Sequence, residues 1–436
     1  MESYLRRRVV KNIIAGSILL MVSQQALSRR IMSENPLNLI DAGAYGNGVD
    51  DDSVYIQKAV DSGSNRIYLP AHRKFLINQS IYIKKPVVIY GGGEIIIDWD
   101  KLGYTKSAFI VLANNTKFNN LLFSTVTVPK VLKEYKNTFV LDFFADNCMV
   151  AQCESLRGHP NFCRSSKKNA SFNFIKNKGY GMVSGQSQDS IDHNFCIIHD
   201  GQKGLIDENY AENWGNMILL RLSSNQFTIS NNVAKSCGNH LIYISSGNNN
   251  KILKNKAYGL YTDIKVRGNY NVIKGNSIDG GILGVTNAIV DYNNTGYGVI
   301  RVDIIDNIIK ASSVRAKDLV FYVKNRKNYN SRVNIINVIG NELYLDGKFS
   351  SGLMVYFDYV KNLNILNNSI SVVEGGSLKV AFLVVSSSRG MLKYEKFKTV
   401  TVSNNTISQC EKFIDSNFDI EDFIVNKNDY KIKKVN

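Results

Sequence analysis

A short phrase recurs along the second half of this chain. Asn271-Val272-Ile273-Lys274-Gly275-Asn276-Ser277-Ile278 is followed by Asp303-Ile304-Ile305-Asp306-Asn307-Ile308-Ile309 and Val338-Ile339-Gly340-Asn341-Glu342-Leu343. Asn364-Ile365-Leu366-Asn367-Asn368-Ser369-Ile370 and Val400-Thr401-Val402-Ser403-Asn404-Asn405-Thr406-Ile407 repeat it. Each sets an aliphatic pair, a polar step, an Asn, one spacer and another aliphatic. Phe227–Val233 and Lys251–Ala257 carry the same phrase earlier. A motif this short and frequent implies one unit stacked on copies of itself. Ile/Val-rich runs form strands. An Asn between two of them reads as a corner, because Asn tolerates left-handed backbone angles. Stacked Asn side chains can also bond to one another from coil to coil. The steps from Asn232 to Asn255 to Asn276 are 23 and 21 residues, about one turn of a three-sided β-helix. Later steps of 31, 34, 27 and 37 residues read as coils with loops inserted between faces. No comparable helical period spans these segments, and leucine-rich spacing is absent.

A solenoid grows in one direction, so 436 residues fit one long domain. Hydrophobic residues at 44% supply a continuous core, and only five prolines suit stacked strands. Ahead of the repeats, Arg6-Arg7-Arg8-Val9-Val10-Lys11 precedes an apolar run from Ile13 to Val22 and a small-x-small site at Ala26-Leu27-Ser28. This is the pattern of an export signal over residues 1–28, and the paired arginines give it a twin-arginine character. The run is too short to span a bilayer comfortably. The expectation is therefore a periplasmic or secreted domain over 29–436, with no stable membrane insertion once the signal is cut. The six cysteines fit no metal spacing and read as buried free thiols. For an exported chain, a net charge of +16 argues against nucleic acid and for an acidic polysaccharide as partner.

Residues 37–70 read as an N-terminal cap and first coil. Asp52 or Ser53 is a sound helix N-cap, and Ile56, Ala59 and Val60 form one apolar face, so a helix covers the open end of the rod. The stretch Gly46-Asn47-Gly48-Val49-Asp50-Asp51-Asp52-Ser53-Val54-Tyr55-Ile56-Gln57, then Ile67-Tyr68-Leu69-Pro70, resembles the phrase that opens the pectate-lyase-like superfamily. Asn47 stands where that phrase usually has Asp. The resemblance covers about 50 residues closely, and it implies an all-β fold, a single-stranded right-handed parallel β-helix with a short capping helix. It also implies a choice among polysaccharide lyases, glycoside hydrolases, uronate epimerases and phage tailspikes, because the phrase specifies fold and not chemistry. Asp50, Asp51 and Asp52 read as turn and cap residues, not as a metal cluster. Ser236-Cys237-Gly238-Asn239-His240-Leu241-Ile242-Tyr243-Ile244 is similar in style to exported β-helix proteins of exopolysaccharide clusters of the colanic-acid type.

Along each strand, alternate residues face solvent, and those of successive coils line up at ~4.8 Å. Counting back from the Asn corners puts Ile264 and Val266 inside, with Asp263, Lys265 and Arg267 outside. One coil earlier Ile242 and Ile244 are inside and Tyr243 outside; before that Leu220 and Leu222 are inside and Arg221 outside. Arg221, Tyr243, Lys265 and Arg267 are thus expected on one face. That set suits β-elimination of a uronate-containing chain, which needs a cation at the carboxylate, a base for the α-proton and an acid for the leaving oxygen. Arg267 or Arg221 would grip the carboxylate. Lys265, lowered by its cationic neighbour, would be the base, and Tyr243 or His240 the acid.

The rival chemistry is hydrolysis by paired carboxylates. The stretch Asp200–Trp214, read as a polar insertion, offers Asp207, Glu208 and Glu212 beside Trp214, with Asp263 and Asp291 as further acids. Tyr322, Lys324, Tyr356 and Asp358 fall at outward positions that would extend a binding strip. Non-catalytic glycan binding in exopolysaccharide assembly is the third reading, and a trimeric tailspike-like adhesin the fourth; a monomer is expected. No phosphate loop, zinc spacing or nucleophile elbow is present. No cofactor is implied, and no motif speaks for Ca2+.

Overall fold

The computed structural model describes residues 35–103, 105–128, 137–182, 193–259, 262–286, 301–312, 321–324, 332–357, 359–386, 398–416 and 422–432. Residues 1–28, Asp291 and Asp358 lie outside them. Among the described residues the chain winds through three parallel sheets of 15, 15 and 13 strands, here called A, B and C. Each coil visits A, then B, then C, and every strand pairs with its counterpart one coil away. Parallel crossovers of this kind are right-handed, so the rod is a three-sided, right-handed parallel β-helix.

The repeated phrase is the corner between sheets A and B. It always holds two residues. The first takes a left-handed angle, as at Asn231 (φ 54), Lys254 (φ 55), Gly275 (φ 66), Asp306 (φ 54) and Gly340 (φ 65). The second is the Asn of the motif, whose side chain turns inward. The left-handed residue is therefore the one before the expected Asn. The Asn serves instead as the rung of a ladder. Asn177, Asn209, Asn232, Asn255 and Asn276 are linked amide to amide at 2.9–3.0 Å. The chain continues through Asn307, Asn341, Asn368 and Asn405 to Asn428 at the same spacing. Each amide also donates to a carbonyl one coil back, as Asn276 does to Ile252 (3.0 Å), and accepts the backbone N–H of the preceding rung. The buried polar groups are thereby satisfied, which is what lets an amide replace an aliphatic inside the rod.

Shorter amide runs, Asn161–Asn194–Asn216 at the entry to sheet C and Asn250–Asn271 at the entry to sheet A, are buried as well, and the rest of the interior is mainly apolar. In the first half it is a column of aromatic rings: Phe123, Phe162, Phe174 and Phe195 run to Trp214 with centroids 5.1–6.2 Å apart. Beyond Trp214 it is mainly aliphatic, with Ile229, Ile252, Ile273 and Ile304 stacked in sheet A and fully buried, and only scattered rings such as Phe227, Phe321 and Phe382. All six cysteines are free and buried. At the N-terminal end helix α1, Ser53–Asp61, packs Ile56, Ala59 and Val60 inward. Its N-cap is Asp52, yet the Asp52 carboxylate turns away from the helix. It accepts from the amides of Tyr45 (2.7 Å) and Gly46 (3.2 Å), while Asp51 accepts from Ser53. Among the described residues no three metal-ligating side chains converge, and no helix is long and apolar enough to cross a membrane.

Candidate functional site

The twelve A–B corners from Asn120-Leu121 to Lys427-Asn428 never lengthen. In chain order, residues 129–136, 183–192, 287–300, 313–320, 325–331, 387–397 and 417–421, all outside the described residues, each precede or follow a strand of sheet C. Sheet C also carries the candidate residues.

Two outward rows run along it. In the first, Leu219, Tyr243 and Lys265 are Cα partners on successive strands. In the second, His199 is the partner of Arg221, and Arg267 follows two strands on, past Ser245. Arg221, Tyr243, Lys265 and Arg267 therefore meet on neighbouring coils. Tyr243 is the hub for Lys265, Arg267 and the nearby His240. The Arg267 guanidinium carbon lies 5.1 Å from its ring centroid, the Lys265 ammonium 5.8 Å, and the His240 ring 4.8 Å. The strand ends at Arg221, so Leu222 does not point inward as expected; it turns out at a left-handed angle and is exposed.

The floor beside this cluster is unusual for an outer face. Ile197 and Leu219 point away from the core, yet they are buried against Phe139 and Tyr243. Asp142 and Arg164 close the far end of that floor with a two-pronged pair of 2.9 and 2.6 Å, and the Arg164 guanidinium stacks 4.2 Å over the Phe139 ring. Between Arg164 and Arg221 stands His199, a residue the sequence reading passed over. Burial first, then the Arg164 and Arg221 cations, pull its pKa down from 6.5 to about 4. Its Nε2 is buried and meets no hydrogen-bond partner among the described residues. It is a neutral base in a cationic setting. The run Phe195-Cys196-Ile197-Ile198 hid it, because four apolar residues in succession do not reveal which of them faces out.

The remaining candidates divide. Lys265 is followed in its row by Gly284 and Tyr322. Tyr322 is buried and its ring covers Gly284, where an added Cβ would lie 2.4 Å from it. Lys324 and Tyr356 continue the row of Arg267 through Thr286. His240 and Asp263 are Cα partners at the edge of the sheet, both nearly buried, with Nδ1 4.0 Å from Oδ2. Asp263 also accepts the Ile282 amide at 2.8 Å.

The acids of Asp200–Trp214 do not join this face, because the stretch is not an insertion. It is a regular coil, with strands Lys203–Asp207 in sheet A and Tyr210–Glu212 in sheet B. Asp207 lies on sheet A and accepts from Ser230. Glu208 is the left-handed A–B corner residue, ion-paired to Lys176 at 3.5 Å. Glu212 lies on sheet B, where the Tyr210 hydroxyl (2.7 Å) and Lys235 (3.3 Å) hold its pKa below the usual carboxylate range. Trp214 is fully buried and stacks on His193 at 4.4 Å, so it offers no surface ring to a ligand. Strands of three to five residues with polar outward positions look like loop in sequence, which is why this coil was misread.

No protein-family model matches the chain, and no curated protein sequence does. Solved structures do. The catalytic unit of a GH87 α-1,3-glucanase from Streptomyces thermodiastaticus superposes with a TM-score of 0.54, at 10% identity, over 86% of this chain and 69% of that one. A mutant tailspike of the E. coli bacteriophage HK620, in complex with a pentasaccharide, gives 0.49 at 11% identity, over 89% and 78%. A mannuronan C-5 epimerase A-module from Azotobacter vinelandii gives 0.45 at 12%, over 91% and 100%. Identities this low bear on fold and not on chemistry. In fold, this chain is a right-handed parallel β-helix.

Proposed function

We propose that the outer face of sheet C binds an acidic polysaccharide and cleaves it by β-elimination. One observation carries the reading: three cations, a tyrosine and a neutral histidine occupy adjacent outward positions on four consecutive coils. Arg221 and Arg267 neutralise the uronate carboxylate and so acidify the proton on the carbon beside it. His199, whose buried Nε2 must first be uncovered by a side-chain movement, takes that proton in place of Lys265, because a base must be unprotonated at the working pH. Lys265 then adds positive charge where the enolate forms. As the C–O bond at the neighbouring carbon breaks, its electron pair goes to the leaving oxygen, and a carbon–carbon double bond forms in its place. The Tyr243 hydroxyl gives the leaving oxygen its proton, and His240, tilted against the Tyr243 ring, positions it. Lys324 and Tyr356, in register with Arg267, extend the track. The export pattern at residues 1–28 supports a periplasmic or secreted monomer.

Hydrolysis has less support, because the two carboxylates near this face are engaged: Asp142 with Arg164, and Asp263 with the Ile282 amide. The test is incubation of the purified chain with a panel of acidic polysaccharides, read by unsaturated-uronate absorbance and by new reducing ends. Both should rise, and His199→Gln should stop both while leaving glycan retention. Reducing ends without absorbance would mean hydrolysis. Retention without either would mean a binding protein, and no retention of any polyanion sinks the reading.

A further inference from the structure

Sheet B carries a second ordered strip. Along its outer face Tyr180 is the partner of Glu212, and Glu212 of Lys235. Lys235 then meets Tyr258, and Tyr258 meets Asp279. Asp279 meets Lys310, and Lys310 meets Tyr344. Read along the rod, the row is tyrosine, acid, lysine, repeated, and closed by a third tyrosine. Each residue in it alternates with a buried one, so the side chains stand on the surface; Tyr258 and Tyr344 are 40% and 41% exposed. The period is three coils, or ~14 Å. These strands are separated by steps of different length in sequence, so the period exists only on the folded rod.

We infer that this strip binds a second glycan, a neutral polysaccharide lying parallel to the rod axis. The tyrosine faces would stack on the C–H faces of sugar rings at every third coil. Between them an acid and a lysine supply acceptors and donors for hydroxyl groups. Charge selects the ligand. The row holds two carboxylates and two ammonium groups, and Glu212 is already shared between Lys235 (3.3 Å) and the Tyr210 hydroxyl (2.7 Å). A hydroxyl-rich neutral chain meets balanced partners there, whereas a polyanion would face Glu212 and Asp279. The inference does not rest on the reading of sheet C, from which this row is separated by a corner of the coil.

The test is affinity electrophoresis of the full chain through gels holding a cellulose ether, a dextran, a mannan, a xylan or polygalacturonate. At least one neutral gel should retard the protein. Tyr258→Ala should weaken that retardation by several-fold to about tenfold, and Tyr258→Phe should keep it. Replacing Tyr180, Tyr258 and Tyr344 together by Ala should abolish it with an unchanged melting curve, and Arg267→Ala should leave it intact. Retardation by none of the neutral gels, or by polygalacturonate alone, overturns the inference. So does retardation that survives the triple replacement.

Discussion

The outer faces of sheets B and C are built on the same coils at the same rise, yet they are opposites. Sheet C is irregular: its floor of Ile197 and Leu219 is buried from outside, and Lys265 and Arg267 crowd around one tyrosine with Arg221 one coil away. Sheet B is open and periodic, and its row from Tyr180 to Tyr344 balances acid against lysine. The comparison teaches what a solenoid core leaves free. Inward positions are fixed by packing and by the amide ladder, while outward ones carry no such demand. One rod can therefore present unrelated surfaces on different sides. Chemistry needs crowding, where unlike neighbours shift one another's protons and water is excluded. Binding of a polymer needs only repetition.

The sharpest way to separate the two faces is Arg267→Ala. Loss of a charge that acts only on the developing anion should slow elimination by about 10²–10³-fold, measured by uronate absorbance, with neutral-glycan retention unaltered. If both fall together, the faces are not independent. Asn276→Ala should damage both at once. It removes the acceptor of two Asn255 bonds and the donor to Ile252, leaving buried groups unpaired. A loss of about 3 kcal/mol is expected in chemical denaturation.

Acid should strain the shared core in a similar way. His159 and His193 are fully buried, and burial lowers each pKa from 6.5 to about 4. Because the folded values are lowered, the unfolded chain takes up protons first as pH falls. Stability is therefore complete above about pH 6.5 and is lost progressively toward pH 4, by up to about 3 kcal/mol for each group. Denaturation midpoints at pH 7 and pH 4.5 measure this, and flat midpoints would contradict it. A smaller effect sharpens the role of His199. Elimination should fail only as pH drops through about 4. Arg221→Gln, which takes away one of the cations depressing that value, should move the acid limb upward.

Much of the fold was legible because the A–B corner is spelled the same way in every coil from Asn177 onward; its buried amide leaves little freedom to vary. The sheet C cluster was legible for a related reason: Ile242-Tyr243-Ile244 and Ile264-Lys265-Val266 alternate cleanly. His199 was not, since Ile197 beside it is outward and yet apolar. Glu212 was misplaced because its short strand resembles a polar loop, and Trp214 because the turn that follows that strand points the ring inward. The tyrosine row of sheet B was invisible to any count along the chain, as its members fall into line only after loops of unequal length are removed.

The corners also govern how such a rod can change length. From Asn120-Leu121 to Lys427-Asn428 every A–B turn is two residues, the first left-handed, and from Lys176-Asn177 onward the second is a laddered Asn. Cutting from Asn232 through Lys254 would remove one winding and bring Asn209 against Asn255, rejoining the amide column without a gap. A cut that is not a whole number of windings would leave a rung facing the wrong wall. Growth and loss at this corner are thus quantised in whole turns, and tinkering by single residues is confined to the two margins of sheet C.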